Sequence, residues 1–287
     1  MVGFCHFFLT SSLVFGQPSD TLTVFDAGSL ALPVKVALDS FAVHTHTVVQ
    51  QENAGSLETA RKLTELARIP DVLALADYEV FPRYLMPTYV TGYTQFARNR
   101  MVITYTKGSI TADNWFDVLT KSGVEVGRSD PRLDPAGYRA LLVWQLAEKY
   151  YKRPGLAGRL LNNAPARNMR PKSADLTALV QTGDLDYAWE YESVAQAAGL
   201  SYLRLPHEID LSDPGDTAFY SQASVRVDTV LVRGEPIVYG LSIPIHAPHP
   251  GTAKRFVDFL LSADGRAILR RAHLDVLDTP IKVGPRS

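Results

Sequence analysis

The chain has 287 residues, 46% of them hydrophobic and 21% charged, with a formal net charge of −1. That length leaves room for one large or two medium domains with ample core. The near-neutral charge argues against a nucleic-acid protein, which would carry a basic surplus, without excluding a small anion held by local dipoles.

Residues 1–17 read as a signal peptide. An apolar core runs from Val2 to Phe15, with a cut expected near Gly16 or Gln17, although no Lys or Arg stands at the front. The stretch is too short to span a bilayer, so a periplasmic or secreted protein is expected. Cys5, the only cysteine, lies inside this leader. The mature chain is therefore expected to lack disulfides, thiol chemistry and cysteine-ligated metal.

Thr21 to Phe25 is a short β-rich run ending in Asp26-Ala27-Gly28-Ser29, and Leu30, Val34, Leu38 and Phe41 then fall at helical spacing. Val48 to Glu52 reads as a second strand, followed by Asn53-Ala54-Gly55-Ser56 and a helix through about Ala67. The same order of strand, Gly-Ser and helix has appeared twice. Asp71 to Ala76 reads as a buried parallel strand, Met101 to Tyr105 as a strand, Trp115 to Thr120 as a short helix, and Glu125 to Gly127 as a strand end.

The stretch RSDPRLDPAGYRALLVWQLAEKYY, Arg128 to Tyr151, opens on two Asp-Pro pairs and continues as an amphipathic helix starting between Asp134 and Tyr138. Each proline pushes the residue before it out of the α region, so Asp134 is placed as a cap. The free N–H groups of the first turn form an anion-binding device. Farther on, Leu176 to Thr182 is a helix, Asp186 to Glu190 a strand and Tyr191 to Ala198 a helix. A polar loop is expected from Pro206 to about Gly215, strands at Ser224 to Val232 and Ile237 to Ile243, and helices at Gly251 to Leu261 and Gly265 to Ala272. The alternation predicts an α/β class with mostly parallel sheets.

The chain has no G-x-G-x-x-G, phosphate-binding loop, G-x-S-x-G or H-E-x-x-H. His44 and His46, like His246 and His249, read as loop residues rather than metal ligands. No cofactor is expected and catalysis has little support, because neither Ser29 nor Ser56 has an identifiable His–Asp pair. What survives is a set of small hydroxyl and backbone donors at strand-to-helix turns: Gly28-Ser29, Gly55-Ser56 and Asp134-Pro135-Ala136.

These turns, with ARNRMVITYT at 97–106, GRSDPRLDPAGYRALL at 127–142, RPKSADLTALVQTGDLDYAWEYESVA at 170–195, LPHEIDLSDP at 205–214 and the tail from Ala247, resemble the periplasmic molybdate/tungstate-binding proteins of ABC transporters. The resemblance spans most of the chain beyond the leader. It implies a two-lobed, type II binding-protein fold, with 21–100 plus 206–287 in one lobe and 101–205 in the other. Crossings are implied near Arg98 to Met101 and near Leu203 to Ile209.

The resemblance also implies a monomer that closes on molybdate or tungstate and delivers it to a membrane permease. Carried over by position, the ligand contacts are Gly28, Ser29, Ser56, Asp134, Pro135, Ala136, Ser173 and Tyr191. In that family an Asp and a Glu can make the metal centre of the anion six-coordinate. Asp134 matches the Asp, whereas Ser173 stands where the Glu falls, leaving Asp175 or Glu190 to compensate or the anion to be held tetrahedrally by hydrogen bonds. A sulfate, phosphate or organic-anion binder, and a cofactor-free α/β hydrolase using Ser29 or Ser56, are the alternatives.

Overall fold

In the computed structural model, β1 (Thr21–Ala27) and β2 (Val48–Ala54) run parallel in register, Thr21 opposite Val48 and Ala27 opposite Ala54, joined by α1 (Ala31–Thr45). α2 (Ser56–Thr64) leads to β3 (Val72–Leu75), which pairs with the other side of β1. β1 thus has a strand on each side, which fits the full burial of its carboxyl half. Because Ala27 and Ala54 are register partners, Gly28-Ser29 and Gly55-Ser56 leave the sheet side by side at one edge. The residues described are 21–284, so the signal peptide expected at 1–17, with Cys5, lies outside them.

β4 (Tyr93–Arg98) ends this lobe's first pass, and two residues later β5 (Met101–Tyr105) begins the second sheet. The second lobe continues through α3 (Trp115–Val118), β6 (Val126–Ser129), α4 (Pro135–Tyr150), α5 (Leu156–Asn163) and β7 (Met169–Arg170). It is completed by α6 (Leu176–Thr182), β8 (Tyr187–Tyr191), α7 (Glu192–Ala197) and β9 (Ser201–Arg204). α8 (His207–Asp210), α9 (Thr217–Tyr220) and the hairpin β10 (Ser224–Val227) and β11 (Val230–Arg233) follow, with Gln145 of α4 exchanging two hydrogen bonds with Ser224. The chain then returns to the first sheet as β12 (Val238–Ser242), α10 (Pro250–Leu261), α11 (Ala263–Arg271) and β13 (Asp275–Val283).

The first sheet has the order β13-β4-β12-β3-β1-β2 and the second β7-β6-β8-β5-β9. Both are mixed, which corrects the expectation of mostly parallel sheets. β12 is antiparallel to β3 and β4, β13 to β4, and β5 to β8 and β9. The reason is the double crossing: a strand returning from the other lobe enters its sheet from the opposite end to β1–β3. A buried apolar run does not report that direction.

The expected loop after Pro206 is also corrected. It holds α8, a 3-10 turn at Pro214–Asp216 capped by Asp213, and α9. These short turns form because Ile209, Leu211 and Tyr220 have a core to enter, and all three are fully buried. The expected strand over 224–232 is a hairpin that turns at Asp228, φ 50°.

α4 is the pillar of the second lobe. Pro135 sits in its first turn, and Trp144 meets Trp189 of β8 edge-on at 5.7 Å, with Trp115 also edge-on to Trp189 at 5.6 Å. No helix among the described residues is long and apolar enough to cross a membrane.

Candidate functional site

The lobes meet at the N-terminus of α2. The Leu133 carbonyl, just before the α4 cap, accepts from the N–H groups of Leu57 at 3.1 Å and Glu58 at 3.2 Å. Two of the free donors of that first turn are thereby satisfied by the opposite lobe rather than left for an anion. Gly55 makes this approach feasible: a Cβ there would lie 2.2 Å from the Leu133 oxygen. Lys172, next to Ser173, also reaches across. Its Nζ donates to Asn53 Oδ1 at 2.6 Å, and its stem lies where a Cβ on Gly28 would be, 3.0 Å away.

Three of the expected contact residues carry buried hydroxyls whose polarity is fixed by neighbours. Ser56 Oγ accepts from the Ala76 N–H at 2.9 Å. Tyr191 Oη accepts from Arg139 Nη1 at 2.6 Å. Ser29 Oγ accepts from Tyr239 Oη at 2.9 Å. The last direction follows from Asn99, whose Oδ1 accepts from the Arg100 N–H, so that its Nδ2 donates to Tyr239 Oη and the phenol proton goes on to Ser29.

Each of the three hydroxyls is therefore filled on its acceptor side, and its own proton has no acceptor among the described residues. The rings of Tyr191 and Tyr239 are 6.0 Å apart, edge to face, which brings Tyr191 beside the partner of Ser29. An O–H whose oxygen is filled and whose proton has no acceptor is free to donate to an anion.

Carboxyls line the other side. Asp134 caps α4 through Oδ1, which accepts from Ala136 N–H at 3.3 Å, and its Oδ2 accepts from Ser173 N–H at 2.7 Å. Asp134 thereby pins the Ser173 turn to α4, while burial pushes its pKa up against the pull of these bonds. The Ser173 side chain stands beside Glu190, whose Oε1 accepts from Tyr191 N–H at 2.8 Å and whose Oε2 is buried without a partner among the described residues.

Burial pushes Glu190 up to about 8, with Tyr191 N–H and Ser173 pulling down and Asp134 pushing up. Since the folded chain then holds the proton that the unfolded chain releases near 4.5, this contribution to stability is full below that pH and is lost as pH rises toward 8. Thermal unfolding of Glu190→Gln, an uncharged isostere, is expected to show a shallower loss of stability over roughly pH 5 to 8 than wild type. An unchanged slope would remove Glu190 from the account. Part of the slope remains in either case, because burial also pushes Asp26 up to about 8.

The residues that sequence reasoning missed are Arg139, Tyr239 and Asn99. A lone Arg on an amphipathic helix reads as solvated, yet Arg139 is only 2% exposed. Gly28, Pro135 and Ala136 stand at the expected turns without side-chain donors of their own. His44 bonds the Ser40 carbonyl, and His249 bonds buried Asp71, so each has a local structural partner. Neither Ser29 nor Ser56 bonds a histidine; their partners are Tyr239 and Ala76.

A family profile described as "Bacterial extracellular solute-binding protein" matches residues 22–275. The chain belongs to that family. An uncharacterized solute-binding protein of Petrotoga mobilis is 41% identical over 275 residues, covering 91% of this chain and 86% of that protein. Molybdate/tungstate-binding protein WtpA of Pyrococcus abyssi is 35% identical over 303 residues, covering 94% and 88%.

Among solved structures, the periplasmic molybdate-binding protein of Azotobacter vinelandii matches with a TM-score of 0.66 at 18% identity, over 88% of this chain and 98% of that one. The sulfate-binding protein SubI of Mycobacterium tuberculosis gives 0.63 at 14%, over 90% and 88%. At those identities the likeness is one of fold: this solute-binding protein has the two-lobed, type II periplasmic architecture.

Proposed function

We propose that this solute-binding protein captures molybdate or tungstate outside the cytoplasm, as a monomer, and hands it to an ABC permease. The observation that carries the reading is the polarity of Ser29, Ser56 and Tyr191, each with its oxygen filled by a neighbour and its proton free. Such a cleft offers donors and little formal charge, which suits a fully ionised tetrahedral oxyanion. The molybdate/tungstate-binding relative at 35% identity supports the choice of anion. Asp134 acts here as a brace for the Ser173 turn, and the anion is held by hydrogen bonds as a four-coordinate centre.

Calorimetric titration with tungstate, and with molybdate and sulfate as competitors, tests this. Tight tungstate or molybdate binding that excess sulfate fails to displace is expected. Ser29→Ala, Ser56→Ala and Tyr191→Phe should each weaken it by roughly ten- to a hundredfold, the worth of a hydrogen bond to a charged group. No heat with either anion, or sulfate competing on equal terms, would sink the assignment.

A further inference from the structure

We infer that Arg139 is the positioning residue that couples anion capture to closure of the two lobes. It sits on α4, little more than a turn beyond the Asp134 cap, and its guanidinium forks between the lobes. Nη1 donates to Tyr191 Oη of its own lobe at 2.6 Å and to the Ala76 carbonyl of the other lobe at 2.7 Å. Nη2 lies 3.5 Å from Asp77 Oδ2, also of the other lobe, and that oxygen accepts as well from Tyr138 Oη on α4. The Ala76 N–H in turn donates to Ser56 Oγ.

One guanidinium thus links the Tyr191 hydroxyl of one lobe to Ala76 of the other, the residue whose N–H orients the Ser56 hydroxyl. Opening the cleft takes Ala76 and Asp77 away and leaves the guanidinium with Tyr191 alone. Closing restores charge-assisted bonds in a dry environment, where they are strongest. Because Arg139 fills the acceptor side of Tyr191, it also turns the phenol proton toward the anion. A flexible ammonium supplies the charge but not the fork, so Lys at this position keeps only part of the function.

This inference rests on the oxyanion reading, and the tests separate the two. Tungstate titration, tungstate release rate and small-angle scattering with and without saturating tungstate would be measured for wild type, Arg139→Met, Arg139→Lys and Asp77→Asn. Arg139→Met is expected to bind about a hundredfold more weakly and to release tungstate faster, with a saturated particle that stays more open. Arg139→Lys and Asp77→Asn should fall between it and wild type, and they keep the test alive if the Met variant does not fold. Combined with Tyr191→Phe, the Arg139→Met loss should be clearly less than additive, and the more open saturated particle is the readout that mere packing would not move. Lys and Asn variants that bind and close like wild type, or strict additivity with Tyr191→Phe, would overturn the role of Arg139 alone. Wild type that gives no heat with tungstate or molybdate would overturn the ligand reading and this inference with it.

Discussion

Gly55→Ala is expected to bind tungstate about a hundredfold more weakly than wild type while folding normally. The backbone at Gly55, φ −62° and ψ 148°, is open to any residue, so the local conformation of its own lobe does not require glycine. What requires it is the other lobe. An added Cβ would stand 2.2 Å from the Leu133 oxygen and 2.7 Å from its carbonyl carbon, and both are backbone atoms with no rotamer to move into. The lobes would have to part by more than 1 Å to reach ordinary contact, which strips the Leu57 and Glu58 N–H groups of their shared acceptor.

Two lost interlobe bonds and the residual strain together amount to roughly 3 kcal/mol, or about two orders of magnitude in affinity. Gly158→Ala is the control, because a Cβ there meets nothing and sits on the exposed face of α5. It should bind as wild type and be slightly more stable. Titration paired with scattering reads both effects. Wild-type affinity in Gly55→Ala would show that the closed contact between Leu133 and α2 is not part of the bound state.

The turns that bring the lobes together were legible in the chain, and their polarity was not. Gly28-Ser29 and Gly55-Ser56 announce themselves as strand-to-helix turns because small residues follow β-rich runs. The Asp134-Pro135 pair marks the α4 start because proline excludes its predecessor from the helix. Which way a hydroxyl donates is set by Ala76, Tyr239 and Arg139, residues 20, 210 and 52 positions from the serine or tyrosine they orient.

Arg139 was hidden for a related reason. Burying a guanidinium is so costly without acceptors that helical arginines read as surface, and the acceptors here come from the other lobe. Mixed strand direction was invisible because antiparallel β12 has the same apolar character as parallel β3 and differs only in which end it enters. In the segment after Pro206 the polar letters prevailed over Ile209, Leu211 and Tyr220, whose burial depends on contacts made elsewhere in the fold.

Asp134→Ala is expected to lower stability by on the order of 3 kcal/mol, more than a helix cap alone would account for. Losing the cap costs about 1 kcal/mol. The carboxylate, 4% exposed, also accepts from the Ser173 N–H at 2.7 Å. Truncation leaves that buried donor without a partner, a penalty of about 1–3 kcal/mol, and frees the Lys172–Ser173 turn that leans on Gly28 across the cleft. Denaturant unfolding of the ligand-free chain measures the first effect.

The second effect separates a brace from a metal ligand. Asp134→Asn keeps one acceptor oxygen and places an amide against the other N–H donor, so it should recover part of the stability. If Asp134 only braces the turn, Asp134→Asn also recovers part of the tungstate affinity, and the tungsten L-edge spectrum of the bound anion stays four-coordinate in wild type and variant alike. If the carboxylate ligates the centre, wild type shows an edge of more than four-coordination that falls to lower coordination in both variants, and Asn is as poor as Ala. A dianion beside an ionised carboxylate is unfavourable unless the two share the metal. In the proposed reading Asp134 is the brace: each of its oxygens accepts a backbone N–H, and burial, which pushes its pKa up, favours the neutral carboxyl beside a dianion.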